Sequence, residues 1–207
     1  MMAGVPVIRP YRPTDRAAVA EICIRTGDAG ADARGKYPDP DLLPAVFALP
    51  YVELEPELAF VLDDGGTAVG YVLGTADTPR FAERFRQEWL PVVAQRYPPP
   101  VGPARTPADR IADALHHPER MVVPEVADHP AHLHIDLLPS HQGGGFGRRL
   151  MTEFLTALGR AGVARVHLGM ATSNTRARAF YDRLGFREIA VRGHAGATYM
   201  GRETISP

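Results

Sequence analysis

Cysteine and lysine are almost absent from this chain. Cys23 is the only cysteine and Lys36 the only lysine among 207 residues. A single cysteine cannot form a disulfide within the chain or build a metal site of several thiolates. Because Cys23 shares the apolar side of a predicted helix with Val19 and Ile22, we expect a buried thiol rather than a nucleophile.

Excess charge and long apolar runs are missing as well. The formal net charge is −1, so no overall basic field favours a nucleic-acid partner. No apolar run reaches about 18 residues, the length that spans a membrane, and residues 1–11 lack the apolar block of a secretory signal. We therefore expect a cytoplasmic protein without a membrane partner.

What is present is typical of a folded globular chain. Hydrophobic residues make up 45% and charged residues 23% of the sequence, a balance that allows a full core. Apolar periodicity predicts strands and helices in alternation. Residues 76–130 interrupt this rhythm with two predicted helices, over about 79–95 and around 108–115, that have little core of their own. We predict a single domain over 1–207 with a helical insertion at about 76–130.

A glycine-packed turn follows the predicted strand over 132–138 and leads directly into an amphipathic helix. It reads Gln142-Gly143-Gly144-Gly145-Phe146-Gly147-Arg148-Arg149-Leu150. Such a turn directs several backbone N–H groups at one point, where the helix N-terminus adds the positive end of its dipole. This combination binds phosphate, so the sequence predicts a phosphorylated ligand.

Three phosphate-binding templates compete for this turn. The Walker loop requires a lysine after its glycines, and none is present. The dinucleotide fingerprint requires its last glycine three residues after the second, whereas Gly147 comes two residues after Gly145. The template Gln/Arg-x-x-Gly-x-Gly/Ala is met by Gln142, Gly145 and Gly147. A glycine-rich turn without a ligand is the remaining alternative.

That template is the coenzyme A loop of the GNAT acyltransferase superfamily, which two segments of this chain resemble. The first is HIDLLPSHQGGGFGRRLM and the second is GVARVHLGMATSNTRARAFYDRLGFREI. The second matches the family signature Asn…Ala-Phe-Tyr-x-x-Leu-Gly-Phe at Asn174, Ala179, Phe180, Tyr181, Leu184, Gly185 and Phe186. The resemblance covers roughly residues 5–75 and 131–202. More narrowly, the chain resembles bacterial relatives of the acetyltransferase-like C-terminal domain of O-GlcNAcase.

The resemblance implies the GNAT fold, which is an α/β (α+β) arrangement around a mixed, mostly antiparallel sheet. The sheet is splayed between its fourth and fifth strands and has helices on both faces, with the helical insertion between strands 3 and 4. It also implies acetyl-CoA as cofactor and direct attack by an amine acceptor, small molecule or peptide, in a ternary complex. The implied cofactor residues are Leu137, Leu138, Gln142, Gly143, Gly144, Gly145, Phe146, Gly147, Arg148, Asn174, Phe180 and Tyr181.

Candidate catalytic groups come from the same two segments. Tyr181 matches the family tyrosine that protonates the leaving thiolate. Strand alternation puts His132, His134 and Asp136 on one face, which would suit a wet substrate cleft. Asp136 and His134 are therefore candidates for a general base or a substrate anchor. A polar sheet face satisfied by the insertion and by water is the alternative.

The acceptor side is less well defined by the sequence. The loop over 26–39 offers Asp28, Asp32 and Tyr37 to a cationic amine, and His132 is a further candidate, although the acids also suit solvated turns. We predict no metal site, and both a monomer and a homodimer remain open. The rival function is a catalytically silent GNAT-fold binding module, whereas phosphotransfer lacks its lysine and metal ligands.

Overall fold

The structure is a computed structural model that describes residues 5–205. Its strands are β1 Val7–Pro10, β2 Ala59–Asp64, β3 Thr67–Thr75, β4 Ala131–Leu137, β5 Arg165–Ala171, β6 Arg187–Ile189 and β7 Ala197–Glu203. Its α-helices are α1 Arg16–Thr26, α2 Leu42–Phe47, α3 Leu49–Leu54, α4 Thr78–Arg84, α5 Leu90–Val93, α6 Pro107–His116, α7 Phe146–Arg160 and α8 Thr175–Arg183. A π-helical turn, Phe85–Trp89, joins α4 to α5.

The seven strands form one sheet in the order β1-β2-β3-β4-β5-β7-β6. Every neighbouring pair is antiparallel except β4 and β5. The hairpin between β2 and β3 turns at Gly65 and Gly66, which both have positive φ and so form the turn that favours a tight two-residue hairpin. The predicted mixed, mostly antiparallel sheet is confirmed.

The two central strands part soon after they meet. The parallel ladder between β4 and β5 has only two residue pairs, Ala131 with Val166 and His132 with His167. Beyond these pairs β4 continues along β3 as far as Leu137, while β5 continues along β7. The predicted splay between the fourth and fifth strands is therefore present, and it opens a gap in the middle of the sheet.

Helices cover both faces of the sheet, and each face has its own core. On one face, α1, α2 and α3 bury residues such as Ile22 and Tyr51 against Tyr71 and Leu73 of β3. On the other, α7 buries a stripe of apolar side chains against β2, β4, β5 and β7. Cys23 belongs to the first core, and burial raises the pKa of its thiol to about 12, so the predicted buried thiol is confirmed.

Residues 76–130 lie between β3 and β4 and form helical turns, as predicted. Their aromatic side chains Phe81, Phe85 and Trp89 are buried in the first core. The Trp89 indole N–H donates to the carbonyl of Ala45 at 2.8 Å, which ties the insertion to α2. The single-domain organisation stays a prediction. None of the helices in residues 5–205 is both long and apolar enough to cross a bilayer.

Candidate functional site

A cavity of about 890 Å³ opens where β4 and β5 part, and it passes through the gap from one face of the sheet to the other. Its walls come from the α1 C-terminus and the turn after it, from β4, from the glycine turn, from β5 and from α8. Of the predicted site residues it is lined by His134, Asp136, Leu137, Gln142, Gly143, Gly145, Gly147, Arg148, Asn174, Phe180 and Tyr181. Leu138, Gly144 and Phe146 flank these residues without lining the cavity.

The glycine turn leaves a cluster of backbone donors without partners. The N-cap residues of α4, α6 and α8 are Asp77, Thr106 and Asn174, and each of these side chains accepts a backbone N–H of the first turn. In contrast the N-cap of α7, a helix of 15 residues, is Gly145, which has no side chain to accept such a bond. No N–H between Gly143 and Arg148 donates to another residue of the described chain. These donors meet at the positive end of the α7 dipole, an arrangement suited to an anion.

The backbone of this turn requires glycine at three positions. Gly143 and Gly145 have φ values of 81° and 80°, in the left-handed region that side chains disfavour. At Gly147 the backbone is ordinary, but a Cβ there would lie 3.2 Å from the Phe180 ring. The absence of a side chain at Gly147 therefore lets α7 and α8 approach each other at the cavity wall.

Arginines on the cavity wall differ from an arginine outside it. Arg148, Arg176 and Arg183 line the cavity, and within residues 5–205 none of them forms an ion pair. Arg178 lies on α8, as Arg176 and Arg183 do, but it does not line the cavity and forms ion pairs with Asp182 and Glu188. Unpaired guanidinium groups beside a cluster of free amides make this end of the cavity electropositive. Arg176 and Arg183 were not among the predicted residues, because only the tertiary structure separates them from Arg178.

Of the two residues predicted at the end of β4, Leu137 and Leu138, only Leu137 has a backbone N–H that faces the gap. The Leu138 N–H donates to the Val69 carbonyl at 2.9 Å, so it is not free for a ligand. Alternation along an antiparallel ladder then turns the N–H and C=O groups of Ile135 and Leu137 toward β5, where the ladder has ended. The Leu137 carbonyl accepts from the Gln142 side chain at 2.9 Å, which leaves its N–H facing the gap.

Tyr181 stands on α8 between the cavity and the second core. Its ring packs on Phe180 and Phe186, and it is 8% exposed. Burial, together with the nearby charge of Asp136, raises the pKa of its hydroxyl above the ordinary value, so the group keeps its proton at neutral pH. The hydroxyl has no hydrogen-bond partner among residues 5–205. Asn174, seven residues earlier, caps α8 by accepting from the Ala177 N–H at 3.0 Å.

Asp136 presents a carboxylate on the cavity wall. Burial raises its pKa to about 6, although the hydrogen bond from Tyr71 and the nearby Thr26 hydroxyl counteract part of that rise. The Tyr71 hydroxyl donates to Asp136 Oδ2 at 2.8 Å. A carboxylate held in this way is ionised at neutral pH and still basic enough to take a proton.

His134 and His132 belong to a chain of hydrogen bonds that runs back into the protein. Thr78 Oγ1 lies 2.7 Å from the Pro130 carbonyl and 2.8 Å from His132 Nδ1. Because a carbonyl only accepts, Thr78 donates to it and His132 Nδ1 donates to Thr78. His132 Nε2 then accepts from the Tyr51 hydroxyl at 2.7 Å, and that hydroxyl accepts from His134 Nε2 at 3.0 Å.

This donor order assigns the tautomer of His134. Its Nε2 carries the proton, and its Nδ1 carries a lone pair without a partner among the described residues. Burial and the charge of Arg120 lower the pKa of His134 to about 4, so the ring is neutral at pH 7. The polar face predicted for β4 is therefore present. Side chains of α3 and of the insertion, rather than solvent, cover much of it.

The predicted acceptor residues lie near the cavity without lining it. Asp28 pairs with Lys36, and Asp32 pairs with Arg34 at 2.6 Å. Tyr37 packs against the first core, and His132 is buried behind His134. The loop contributes instead through Thr26, Gly27 and the turn that follows, Ala29, Gly30 and Ala31.

Comparison with known proteins agrees with this architecture. Residues 111–186 match the model of the acetyltransferase (GNAT) family. The chain is 63% identical to SsHAT, whose crystal structure superposes with a TM-score of 0.95 over 98% of this chain and 100% of that one. It is 29% identical over 189 residues to protein O-GlcNAcase of Rattus norvegicus, which is 90% of this chain but only 20% of that protein's length.

A shorter match has higher identity than the match to O-GlcNAcase. Over 78 residues the chain is 36% identical to the [ribosomal protein bS18]-alanine N-acetyltransferase of Escherichia coli K12, a match that covers 38% of this chain and 53% of that protein. This chain belongs to the GNAT family of acetyltransferases, which are acyl-transferring enzymes.

Proposed function

We propose that the protein is an acetyl-CoA-dependent N-acetyltransferase in which an amine attacks the acetyl group directly within a ternary complex. The observation that carries this proposal is the cluster of unpartnered amides at residues 143–148, which lies on the same cavity as Asp136 and Tyr181. The cavity thereby offers an anion site, a base and an acid to one bound pair of substrates.

The donor set suits coenzyme A. The amides at Gly143 to Arg148 match the pyrophosphate, and the arginines on the cavity wall add positive charge beside it. The N–H of Leu137 faces the gap, where a pantetheine arm laid along the edge of β4 would place its thioester. When bound, acetyl-CoA supplies an activated acetyl group. The Leu137 N–H is then positioned to donate to the carbonyl oxygen of that thioester.

Asp136 and Tyr181 divide the proton transfers between them. An amine attacks only in its neutral form, and the Asp136 carboxylate, with a pKa of about 6, can accept the proton that the amine gives up. Tyr181 keeps its proton at neutral pH because burial raises the pKa of its hydroxyl. It can therefore protonate the departing sulfur. His134, neutral and fixed by Tyr51, offers its Nδ1 lone pair as an anchor for an N–H of the acceptor.

The rival function is a silent binding module of the same fold. An intact glycine turn and two titratable groups on the cavity favour the enzyme, since a module that only binds does not need a carboxylate held near neutrality. Within this proposal the acceptor is an amine, carried either by a small molecule or by a peptide.

Calorimetric titration with acetyl-CoA, followed by thiol release in the presence of amines, tests the proposal. We expect saturable binding and thermal stabilisation that grows with cofactor concentration. Absence of heat and of stabilisation at millimolar acetyl-CoA would refute cofactor binding. Tight binding without thiol release from any amine would favour the silent module.

A further inference from the structure

Arg120 lies at the acceptor side of the cavity, on the face of the sheet opposite to α7. It belongs to a one-turn 3₁₀ helix, Pro118–Met121, at the end of the insertion. Its Cζ is 5.9 Å from the centroid of the Phe47 ring, and that ring is 6.1 Å from the ring of His134. Phe47 and His134 line the cavity and Arg120 does not, so its guanidinium lies at the outer edge of the acceptor compartment, beside Phe47.

Within residues 5–205 no carboxylate pairs with Arg120. The neighbouring Glu119 is already engaged by Arg86 and His117. Arg120 makes one hydrogen bond, from Nε to the Ala114 carbonyl at 3.3 Å. The Arg120 side chain is exposed, and the protein atoms packed around its guanidinium lower its pKa.

A guanidinium that forms no ion pair within the protein is free to pair with an anionic group of a ligand. Guanidinium groups bind carboxylates in a forked geometry with two parallel hydrogen bonds. The phosphates of coenzyme A are assigned to the glycine turn, where other arginines stand. The acceptor is then the ligand that could bring an anionic group to Arg120.

The charges of the acceptor compartment are arranged along one direction. Asp136 and His134 are alternate residues of β4, so they are separated by roughly 7 Å along the strand. The charge of Arg120 acts on the pKa of His134. The Arg120 guanidinium lies next to Phe47, on the side of His134 away from Asp136. One end of the compartment is thus anionic and the other cationic, which matches an amine that carries a negative charge at its far end.

We propose that Arg120 binds a carboxylate of the acceptor, so that the acetylated compounds are amines that also carry a carboxylate group. This inference rests on the proposed acetyltransferase function and names the acceptor class of the same cavity.

The test compares paired acceptors that differ only in the carboxylate. Amino acids with spacers of increasing length, from glycine to 6-aminohexanoate, are assayed beside their primary amides by thiol release. We expect kcat/KM to favour the carboxylate form by about 10- to 100-fold at the best spacer length, the range of a hydrogen bond to a charged group. In Arg120→Gln the preference should fall to about one, mainly through KM, and Arg120→Lys should retain part of it. Arg110→Gln, an exposed arginine of α6 without an ion pair in the described chain, is the matched control.

A second measurement is independent of turnover. The N-acetylated product of each pair is titrated calorimetrically onto the protein saturated with coenzyme A. We expect the carboxylate product to bind more tightly than its amide, and Arg120→Gln to remove that difference. Equal binding of the two products, or a preference that survives in Arg120→Gln, overturns the inference. If acetyl-CoA binds and thiol release is absent while the carboxylate preference persists, only the catalytic proposal fails.

Discussion

The two halves of the cavity are built in different ways. The half that we assign to the cofactor, called the cofactor half, consists mainly of consecutive backbone: the edge of β4, the glycine turn and the first turn of α7, completed by α8. The half that we assign to the acceptor, called the acceptor half, consists of side chains that converge from distant parts of the chain. Tyr51, for example, contacts His132 and His134 across 81 and 83 residues of sequence. One half is a local structure, and the other exists only in the folded protein.

This difference decides what each half can tolerate. Backbone amides recognise a pyrophosphate whatever the neighbouring side chains are, provided that the chain can adopt the required φ and ψ angles. The acceptor half depends on the chemistry of individual side chains, so single substitutions there should alter the reaction while leaving the cofactor half intact. Substitutions in each half test this division.

The largest expected effect is on cofactor binding. Gly145→Glu should weaken coenzyme A binding by more than about 1,000-fold, because a side chain at positive φ distorts the turn and its carboxylate repels the pyrophosphate. Calorimetry on the variant measures the loss. Gly193→Glu is the matched control, since both glycines have positive φ and open space where a Cβ would lie, but Gly193 lies away from the cavity. Retained affinity in Gly145→Glu would contradict the placement of the pyrophosphate.

The next effect separates the acceptor half from the cofactor half. Asp136→Asn should lower kcat by about 1,000-fold, within the range for a lost general base, and leave coenzyme A affinity unchanged. In the parent protein kcat/KM should rise as pH increases through about 6 and then level off, because the carboxylate acts in its ionised form. Tyr71→Phe removes a hydrogen bond to the ionised form, so it should move this rise to higher pH. A pH profile identical in all three proteins would exclude Asp136 as the base.

Tyr181 lies where the two halves meet, and its replacement should have an intermediate effect. Tyr181→Phe should lower kcat by about 100-fold, with little change in coenzyme A affinity, because only the proton for the departing sulfur is lost. Tyr97→Phe is a matched control, since both tyrosines are 8% exposed and Tyr97 does not line the cavity. Stopped-flow or steady-state thiol release measures the rates. An unaltered kcat across the pH range would remove Tyr181 from the mechanism.

At Asp136, stability should change in the opposite direction to activity. The folded-state pKa of Asp136 is raised from 3.8 to about 6, so its contribution to stability is complete below the unfolded pKa and is lost as pH rises through the folded pKa. Asp136→Asn removes this penalty and should unfold at a higher Tm than the parent at pH 7.5, by roughly 3 °C. Near pH 4 the two should be similar. A lower Tm for Asp136→Asn at pH 7.5 would show that the carboxylate stabilises the fold.

The same division explains how far the sequence alone could lead. The spacing of Gln142, Gly145 and Gly147 is a local pattern that predicts the cofactor half, and strand alternation predicts that His134 and Asp136 share one face. The residues that contact these side chains could not be predicted from the sequence, because Tyr51, Tyr71 and Arg120 lie on other elements and belong to no recognisable motif. Asp28 and Asp32 suited an amine by charge, but ion pairs with Lys36 and Arg34 depend on contacts that no pattern records.

The smallest effect concerns the turn from Asp28 to Ala31, which brings the acceptor half against α8. Asp28 and Ala31 exchange two backbone hydrogen bonds, of 3.0 and 2.9 Å, and the two residues between them have φ values of 50° at Ala29 and 91° at Gly30. In the cofactor half the residues with positive φ are glycines, whereas in this turn one of the two is Ala29. A Cβ at Gly30 would lie 3.9 Å from Asn174 Nδ2, so there is room for a methyl group and the expected cost is conformational.

Ala29→Gly should therefore raise the free energy of unfolding by up to about 1 kcal/mol, as relief of the strain exceeds the added entropy of the unfolded chain, and Gly30→Ala should lower it by about 1 kcal/mol. Urea unfolding measures both changes, and coenzyme A affinity should remain that of the parent because the turn contributes no donor to the pyrophosphate. If Ala29→Gly instead destabilises the protein, the alanine is held without strain. If either substitution changes coenzyme A affinity, the turn after α1 contributes to cofactor binding. The cofactor half would then include this turn as well as the edge of β4.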